Sequence, residues 1–447
     1  MKKNADELTI LNARLPLHGD GELHTLRIAG GRWAAIEPQE GTERDSEGGV
    51  PIAGLGIDEL GTVPRIDLQG RALLPGFVDA HMHLDKAYTV SRVRNVSGTL
   101  LEAIENYRSF APSITKENIR ERIVRAALSA ASYGSLTLRS HLDVAFHLGR
   151  DIAMRTVEAA LEAREQVKDF VDIQYFPMFY YDPERERELT EFAEETLRMG
   201  IDGVGGAPHL TPDPAANIDW AFRLAAKFDR PIDLHTDETD DPSMKTIDVY
   251  CDYALRHQYR GRATAGHLCS LSAMDQAEAD RLIAKMAEAG IGAVTLPPVN
   301  LYLQGRGDRG NVRRGVTRVR ELAAAGVPVA AASDNIQDPF HPFGRGDLLQ
   351  IGLTTAYAAH LAKEEDIPVL LRMLTSVPAL LTGANEYGIA ANRPASFVVA
   401  DAFSGEELFQ ELPATRWVYN KSRWIFASRL QRQWAQPLGT EPAVPIR

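Results

Sequence analysis

Cysteine is scarce: Cys251 and Cys269 are the two in 447 residues, and no C-x-x-C pair occurs. That excludes a disulfide framework and a zinc knuckle, and a reducing compartment, the cytoplasm, is the expected location. No apolar run approaches the roughly 18 residues of a membrane span. The N-terminal MKKNADELTI carries lysines without the apolar stretch of a signal peptide. A basic surplus is missing as well: 49 Lys and Arg face 61 Asp and Glu, for a net charge of −12. With no excess of positive surface to neutralise phosphates, neither nucleic acid nor an anionic membrane is an expected partner. Low-complexity tracts and short-period repeats are absent too.

Hydrophobic content of 44% and charged content of 25% are ordinary for a globular chain of a size that holds a large core. Length alone predicts two or three domains, but a single (β/α)8 barrel takes about 250 residues. Residues 7–15 and 23–37 predict short strands with a turn at Gly30-Gly31, residues 41–61 a loop, and Pro64–Leu68 one more strand. Ala395–Ala400, Trp417–Tyr419 and Trp424–Ala427 are β-like in turn. The two chain ends are expected to pair into one small β-sandwich.

Between the ends lie eight apolar runs: Leu73–His83, Ser135–His141, Asp172–Met178, Gly203–Pro208, Ile232–His235, Ala263–His267, Ala293–Pro297 and Val327–Asp334. Segments of helical spacing at 117–131, 151–168, 185–199, 215–228, 274–289 and 313–325 separate them. Strand and helix in alternation predict an α/β fold, a TIM-like (β/α)8 barrel around a parallel sheet. The expected division places the N-terminal share of the β-sandwich over 1–72, the barrel over 73–385 and the C-terminal share of the sandwich over 386–447.

The first run reads RALLPGFVDAHMHLDK. Residues two apart on a strand share a face, so His81 and His83 project together, as half of a divalent metal site does. In such a barrel active residues stand at the C-terminal ends of strands. There the second run ends at His141, the fifth at His235, the sixth at His267 and the eighth at Asp334. Singly, His141 or His267 reads as a core histidine and Asp334 as a helix cap. Together, His81, His83, His235 and Asp334 suit one divalent ion, Zn²⁺ or Fe²⁺, with a position left for water. His267 and Asp334 can orient or deprotonate that water, and Glu238, three residues past His235, can deliver a proton to a leaving group. The alternative for Glu238 is a surface place in the acidic stretch Asp237–Asp241.

These motifs resemble the amidohydrolase superfamily, and within it the cytosine deaminase group, which is similar also to N-isopropylammelide isopropylaminohydrolase. The resemblance runs from PGFVDAHMHLDK through H-x-D-E at 235–238, A-G-H at 265–267, PPVNLYLQGRGD at 297–308 and S-D-N at 333–335 to the C-terminal strands. It implies one metal on His81, His83, His235 and Asp334, Glu238 as proton shuttle to a ring nitrogen, and His267 as the residue that positions water. It also implies that the segment holding Gln304 borders the substrate pocket. No lysine sits in the runs at 172–178 or 203–208 to carry a bridging carboxylate, so one ion is expected. Lys86 reads equally as a pocket or a surface residue.

Three positions depart from the cytosine deaminase pattern: Met178 replaces a glutamine that reads the pyrimidine, Asn335 an aspartate, and Phe340 a tryptophan. The metal chemistry is retained while the residues that read substrate have changed, or have merely repacked the wall. The function expected from this resemblance is hydrolytic deamination of an amino-substituted nitrogen heterocycle, a small molecule, with release of ammonia. Hydrolysis of an N-alkylamino group or cyclic amide by the same site is the alternative, and an inactive scaffold the remote one. The H-x-E with P-C-x-x-C pattern of deaminases acting on flipped bases is absent. A homo-oligomer is compatible with the chain.

Overall fold

At Pro75-Gly76 the chain passes from one sheet to another. The run Leu73–His83, which the sequence breaks at Pro75-Gly76, is two strands, Ala72–Pro75 and Phe77–Met82. Proline has no N–H for a ladder. A Cβ on Gly76 would stand 2.5 Å from Leu136 Cδ1, so any larger residue at this crossing requires Leu136 to shift. The Gly76 N–H donates to Ser396 O at 3.0 Å, and the Phe77 N–H to Gly134 O at 2.8 Å. Successive amides thus serve different regions of the molecule.

The structure is a computed structural model and describes residues 7–39, 48–431 and 433. The N-terminal MKKNAD and the beginning of the loop expected over 41–61 lie outside the described residues. The remainder of that loop contains a two-residue strand, Val50–Pro51, and one helical turn, Ile57–Leu60.

Beyond Gly76 come eight parallel strands, Phe77–Met82, Ser135–Leu142, Asp172–Pro177, Val204–Gly206, Ile232–Thr236, Ala263–His267, Gly292–Thr295 and Val329–Ala331. The first three form one parallel sheet and the last five another. Single parallel bridges join them at both seams, Met178 to Gly205 and Met82 to Asp334. At the first seam a Cβ on Gly205 would stand 2.7 Å from Pro177 O, so the close approach needs glycine.

Helices alternate with these strands where the spacing predicts them: Lys116–Ser132, Arg150–Val167, Glu186–Arg198, Pro214–Phe228 and Gln276–Ala289. Thr115, Asp213 and Asp275 cap three of them by accepting a backbone N–H. The helix expected over 313–325 is only Val319–Ala324. Before it, the N–H and guanidinium of Arg313 turn back to Asp308, and Gly315 takes a φ of 65°. Thr246–Arg256, Leu100–Phe110 and Leu348–Ala359 are helices that the spacing did not predict. No helix among the described residues is long and apolar enough to cross a membrane.

The strands at the two chain ends share one connected nine-stranded sheet, in which Phe397–Ala400 pairs antiparallel with Ala72–Pro75. Glu7–Leu15 divides one edge between Arg65–Asp67 and Ala72, with a register irregularity and Asn12 at φ 53° between them. This sheet buries a core of its own, including Trp33, Phe397, Trp417 and Trp424, separate from the larger core between the parallel strands and their helices.

Candidate active site

The C-terminal ends of the parallel strands bring five imidazoles and two carboxylates into one buried volume. His81 is the penultimate residue of its strand and His83 follows it. The bridge to the eighth strand fixes both against Asp334, whose N–H donates to His81 O at 2.8 Å. His81 Nε2 lies 3.2 Å from His235 Nε2, and His83 Nε2 lies 3.0 Å from it. Asp334 Oδ1 stands 3.7 Å from His81 Nε2 and 3.3 Å from His83 Nε2. Room for the His81 ring comes from Gly266, where a Cβ would stand 2.9 Å from His81 Cε1.

The donor set fits a divalent cation. Burial holds His81, His83, His235 and His267 well below the usual imidazole range, so the rings are neutral, as coordination requires. His83 Nδ1 faces a carbonyl oxygen, that of His141, so its Nε2 is left as a lone pair. Neither oxygen of Asp334 meets a hydrogen-bond donor, although both are buried. The Nε2 atoms of His81, His83 and His235 and the oxygens of Asp334 thus face one point. Two nitrogens on one Zn²⁺, each about 2.0–2.1 Å from it, stand roughly 3.0–3.4 Å apart, as these do.

Around this point the other expected residues divide. Glu238 is buried, not a surface member of the acidic stretch, and its Oε1 lies 3.6 Å from His267 Nδ1. Burial first, and the Asp334 charge second, push its carboxyl well above the usual range, while Lys86 pulls it back. His267 shares a cluster with His81 and Asp334, ligand atoms within 4.8 Å of one another, and takes a φ of 69°. Met178, Lys86, Asn335 and Phe340 line a pocket together with His83, His235, Glu238, His267 and Asp334. Gln304 stands outside that lining; its Nε2 lies 3.4 Å from Glu238 O. His141 lies against His81, ring centroids 4.1 Å apart, and both its nitrogens lack a hydrogen-bond partner.

Several site residues were not anticipated. Asn300 Nδ2 lies 3.1 Å from His267 Nδ1; an asparagine buried at the start of an apolar helical stretch was the available signal. Asp237 accepts from the N–H groups of Thr246 and Ile247, and so anchors the helix that follows the loop carrying Glu238. Asp143, Tyr180, Leu100 and Ile104 also line the pocket, and none belongs to a motif.

The amidohydrolase family profile matches residues 155–419. The chain belongs to the amidohydrolase family. It is accordingly a hydrolase of carbon–nitrogen bonds. It is 34% identical over 376 residues to pterin deaminase of Rhizobium rhizogenes, covering 82% of this chain and 84% of that one. It is 30% identical over 387 residues to the N-isopropylammelide isopropyl amidohydrolase of Pseudomonas sp. strain ADP, covering 81% and 89%. The solved structure of 5-methylcytosine deaminase from Klebsiella pneumoniae liganded with phosphonocytosine superposes with a TM-score of 0.85 at 29% identity, over 96% of this chain and 100% of that one.

Proposed function

We propose that this amidohydrolase deaminates an amino-substituted nitrogen heterocycle by hydrolysis. The observation that carries the reading is the convergence of His81, His83, His235 and Asp334 on one point of a pocket that Glu238 and His267 share. Those four residues would hold one divalent ion, zinc or ferrous iron. When bound, that ion is a Lewis acid that brings the acidity of water toward neutral pH and so supplies the nucleophile.

The chain's own residues do the rest. His267, whose Nδ1 accepts from Asn300 Nδ2 and whose proton therefore sits on Nε2, orients the water, and the Asp334 carboxylate receives the proton that the water gives up. Glu238, protonated in its buried place, gives a proton to the ring nitrogen beside the carbon under attack. The carbon gains the hydroxyl of the water, the exocyclic carbon–nitrogen bond breaks, and the amino group leaves as ammonia with the proton that the water gave up, while the proton of the new hydroxyl restores Glu238 and leaves a ring carbonyl. One water is consumed for each ammonia released.

Similarity to the pterin, 5-methylcytosine and N-isopropylammelide enzymes supports a heterocyclic substrate free in solution, in keeping with the acidic net charge. Hydrolysis of an N-alkylamino group is the second reading, favoured by the apolar wall of Leu100, Ile104 and Met178. A panel of cytosines, pterins and aminotriazines, assayed for ammonia against alkylamine, separates the two. Release of neither product by metal-replete protein would sink both and leave an inactive scaffold.

The two bridged parallel sheets support a reading as one closed eight-stranded barrel, and the divided edge of Glu7–Leu15 one of the terminal sheet as a sandwich. We keep the division at 1–72, 73–385 and 386–447 with its first boundary moved to Gly76. Two buried free cysteines accord with a cytoplasmic place.

A further inference from the structure

The helix Ile367–Leu374 borders two grooves of unlike character. Val319, Ala323, Val369 and Val377 line the first, with Arg320 and Arg372 among them. Glu364, Glu365 and Glu406 line the second, beside Ile367 and Pro368. Pro328 and Val329 also belong to the first groove, so it lies at the N-terminal end of the eighth parallel strand, whereas His83, Glu238 and Asp334 stand at the C-terminal ends. Large apolar side chains at its border face water. Leu380, one turn past Val377, is 63% exposed, and Tyr357, one turn before Leu361 of the groove, is 72% exposed. A lone exposed apolar residue is ordinary, but several around an apolar groove mark a surface that another molecule covers.

The charges beside the helix are not neutralised within the chain. Among the described residues no carboxylate oxygen lies within 4.0 Å of the guanidinium of Arg320 or Arg372, and no basic nitrogen within 4.0 Å of the carboxylate of Glu364 or Glu406. Arg320 donates to His360 O, and Glu365 stands 3.6 Å from Lys363. These charges are ordered along the helix. Glu364 and Glu365 belong to the turn before it, and Arg372 to its last turn, about 12 Å further along the axis. A uniformly acidic or uniformly basic partner would be attracted at one end and repelled at the other. A two-fold axis lying across the helix near Pro368-Val369 gives a different result. It runs the same helix of a second copy antiparallel, so each Arg372 meets the acidic end of the other copy and the two apolar grooves face each other.

We propose that this surface is the interface between two copies of the chain, related by a two-fold axis across Ile367–Leu374. In such an interface one patch serves both copies and must complement itself. The reversal of charge from Glu364 to Arg372 supplies that complement. The apolar groove, with Leu380 and Tyr357 at its border, supplies the area that leaves water. A stable interface takes about 800 Å² from each partner, so the helix and the grooves on both its sides belong to it. A copy docked there leaves the pocket at the C-terminal strand ends open to substrate.

The experiment is sedimentation equilibrium of the metal-replete full-length protein. Wild type is compared with Arg372→Glu, with the pair Glu364→Arg and Glu365→Arg, with all three changes combined, and with Leu380→Asp. Wild type should be dimeric at micromolar concentration, where an interface of this size holds. Each reversal sets like charges together at two places in the dimer, so Arg372→Glu and the glutamate pair should each raise the dissociation constant at least about 10-fold. The combined variant restores opposite charges across the axis and should return to within about threefold of wild type, a coupling that unrelated sites do not show. Leu380→Asp carries a charge into the apolar contact and should weaken the dimer at least about 100-fold, with metal content unchanged. The charge reversals, at exposed positions, carry the test if the Leu380 variant does not fold. A wild type that stays monomeric overturns the proposal and leaves the patch to a partner of another kind. A dimer that none of the substitutions weakens, or that the combined variant fails to restore, overturns it too, because the contact then lies elsewhere or in another register.

Discussion

His83 Nδ1 lies 3.0 Å from the carbonyl oxygen of His141. A carbonyl only accepts, so Nδ1 carries the ring proton and Nε2 is free toward His235 and Asp334. The acceptor belongs to the backbone of a strand paired on both edges, so the tautomer does not depend on the His141 side chain. That backbone contact sets the orientation of the His83 ring. Removing a facing ligand should then cost more than the roughly 10–100-fold that outer contacts cost. His235→Ala should purify with well under one metal per chain and lose it readily to a chelator. Unchanged stoichiometry by elemental analysis would remove His235 from the set.

Glu238→Gln keeps the size of the side chain and removes its acid. Metal content should stay as in wild type, and kcat should drop by about 10²–10⁴. Burial and the Asp334 charge raise the carboxyl, so the working form is the protonated one. Activity should therefore hold at pH below that raised value and decline above it. The decline should be missing from the residual activity of the variant. Turnover like wild type would give the proton transfer to another group.

The strand period made the site legible at His81 and His83, and the register of run ends did so at His235, His267 and Asp334. Each of these stands where a strand stops, and a strand's end is marked by a change in local composition. What was not legible depends on approach between distant segments. Asn300 meets His267 across 33 residues of sequence, and Arg139 meets Leu381 O across 242. The break at Pro75-Gly76 is legible as a turn pair between two apolar stretches; the pairing of Ala72–Pro75 with Phe397–Ala400, more than 300 residues away, is not. Leu348–Ala359, LLQIGLTTAYAA, is apolar nearly all round and carries little periodic signal.

Beneath the candidate ligands lies a buried charge pair. Arg139 Nη1 donates to Asp233 Oδ2 at 2.8 Å, and Asp233 Oδ1 stands 3.7 Å from His141 Nε2. Asp233 is two residues before His235 on one strand and faces the same interior. Asp233→Asn should weaken metal binding by about 10–100-fold, as the loss of an outer contact does. It should also cost about 3–5 kcal/mol of stability, because the buried guanidinium loses its charge partner. Chemical unfolding of the chelated protein gives the second quantity free of the first. Equal metal affinity with lower stability would mean that the pair is only structural.

Gly266 is tested more simply. A Cβ there meets the His81 ring at 2.9–3.0 Å, a buried imidazole with no space to retreat. Gly266→Ala should displace His81 and reduce metal content while leaving the fold, by circular dichroism, close to wild type. Full metal occupancy in the variant would show that the ring can yield after all.

Asp338 holds the turn that sets Phe340 under Lys86. Its Oδ1 accepts from the N–H of Phe340 at 2.9 Å and of His341 at 3.1 Å, and its Oδ2 from Asn335 Nδ2 at 2.6 Å. Burial outweighs these bonds and the Lys86 charge, and pushes the carboxyl from 3.8 up to about 7. The folded state thus keeps a proton that the unfolded chain gives up at lower pH. Where the native state binds more protons, stability falls as pH rises. The contribution is fully present below the unfolded value and lost as pH climbs through about 7. A gap of this size corresponds to about 4 kcal/mol at most. Asp338→Asn removes the titration, so between these limits wild type should lose stability relative to the variant by an amount of that order. Denaturant unfolding of both proteins across that pH window checks it, and a difference that does not change with pH would mean that the carboxyl stays ionised, held by its hydrogen bonds and Lys86.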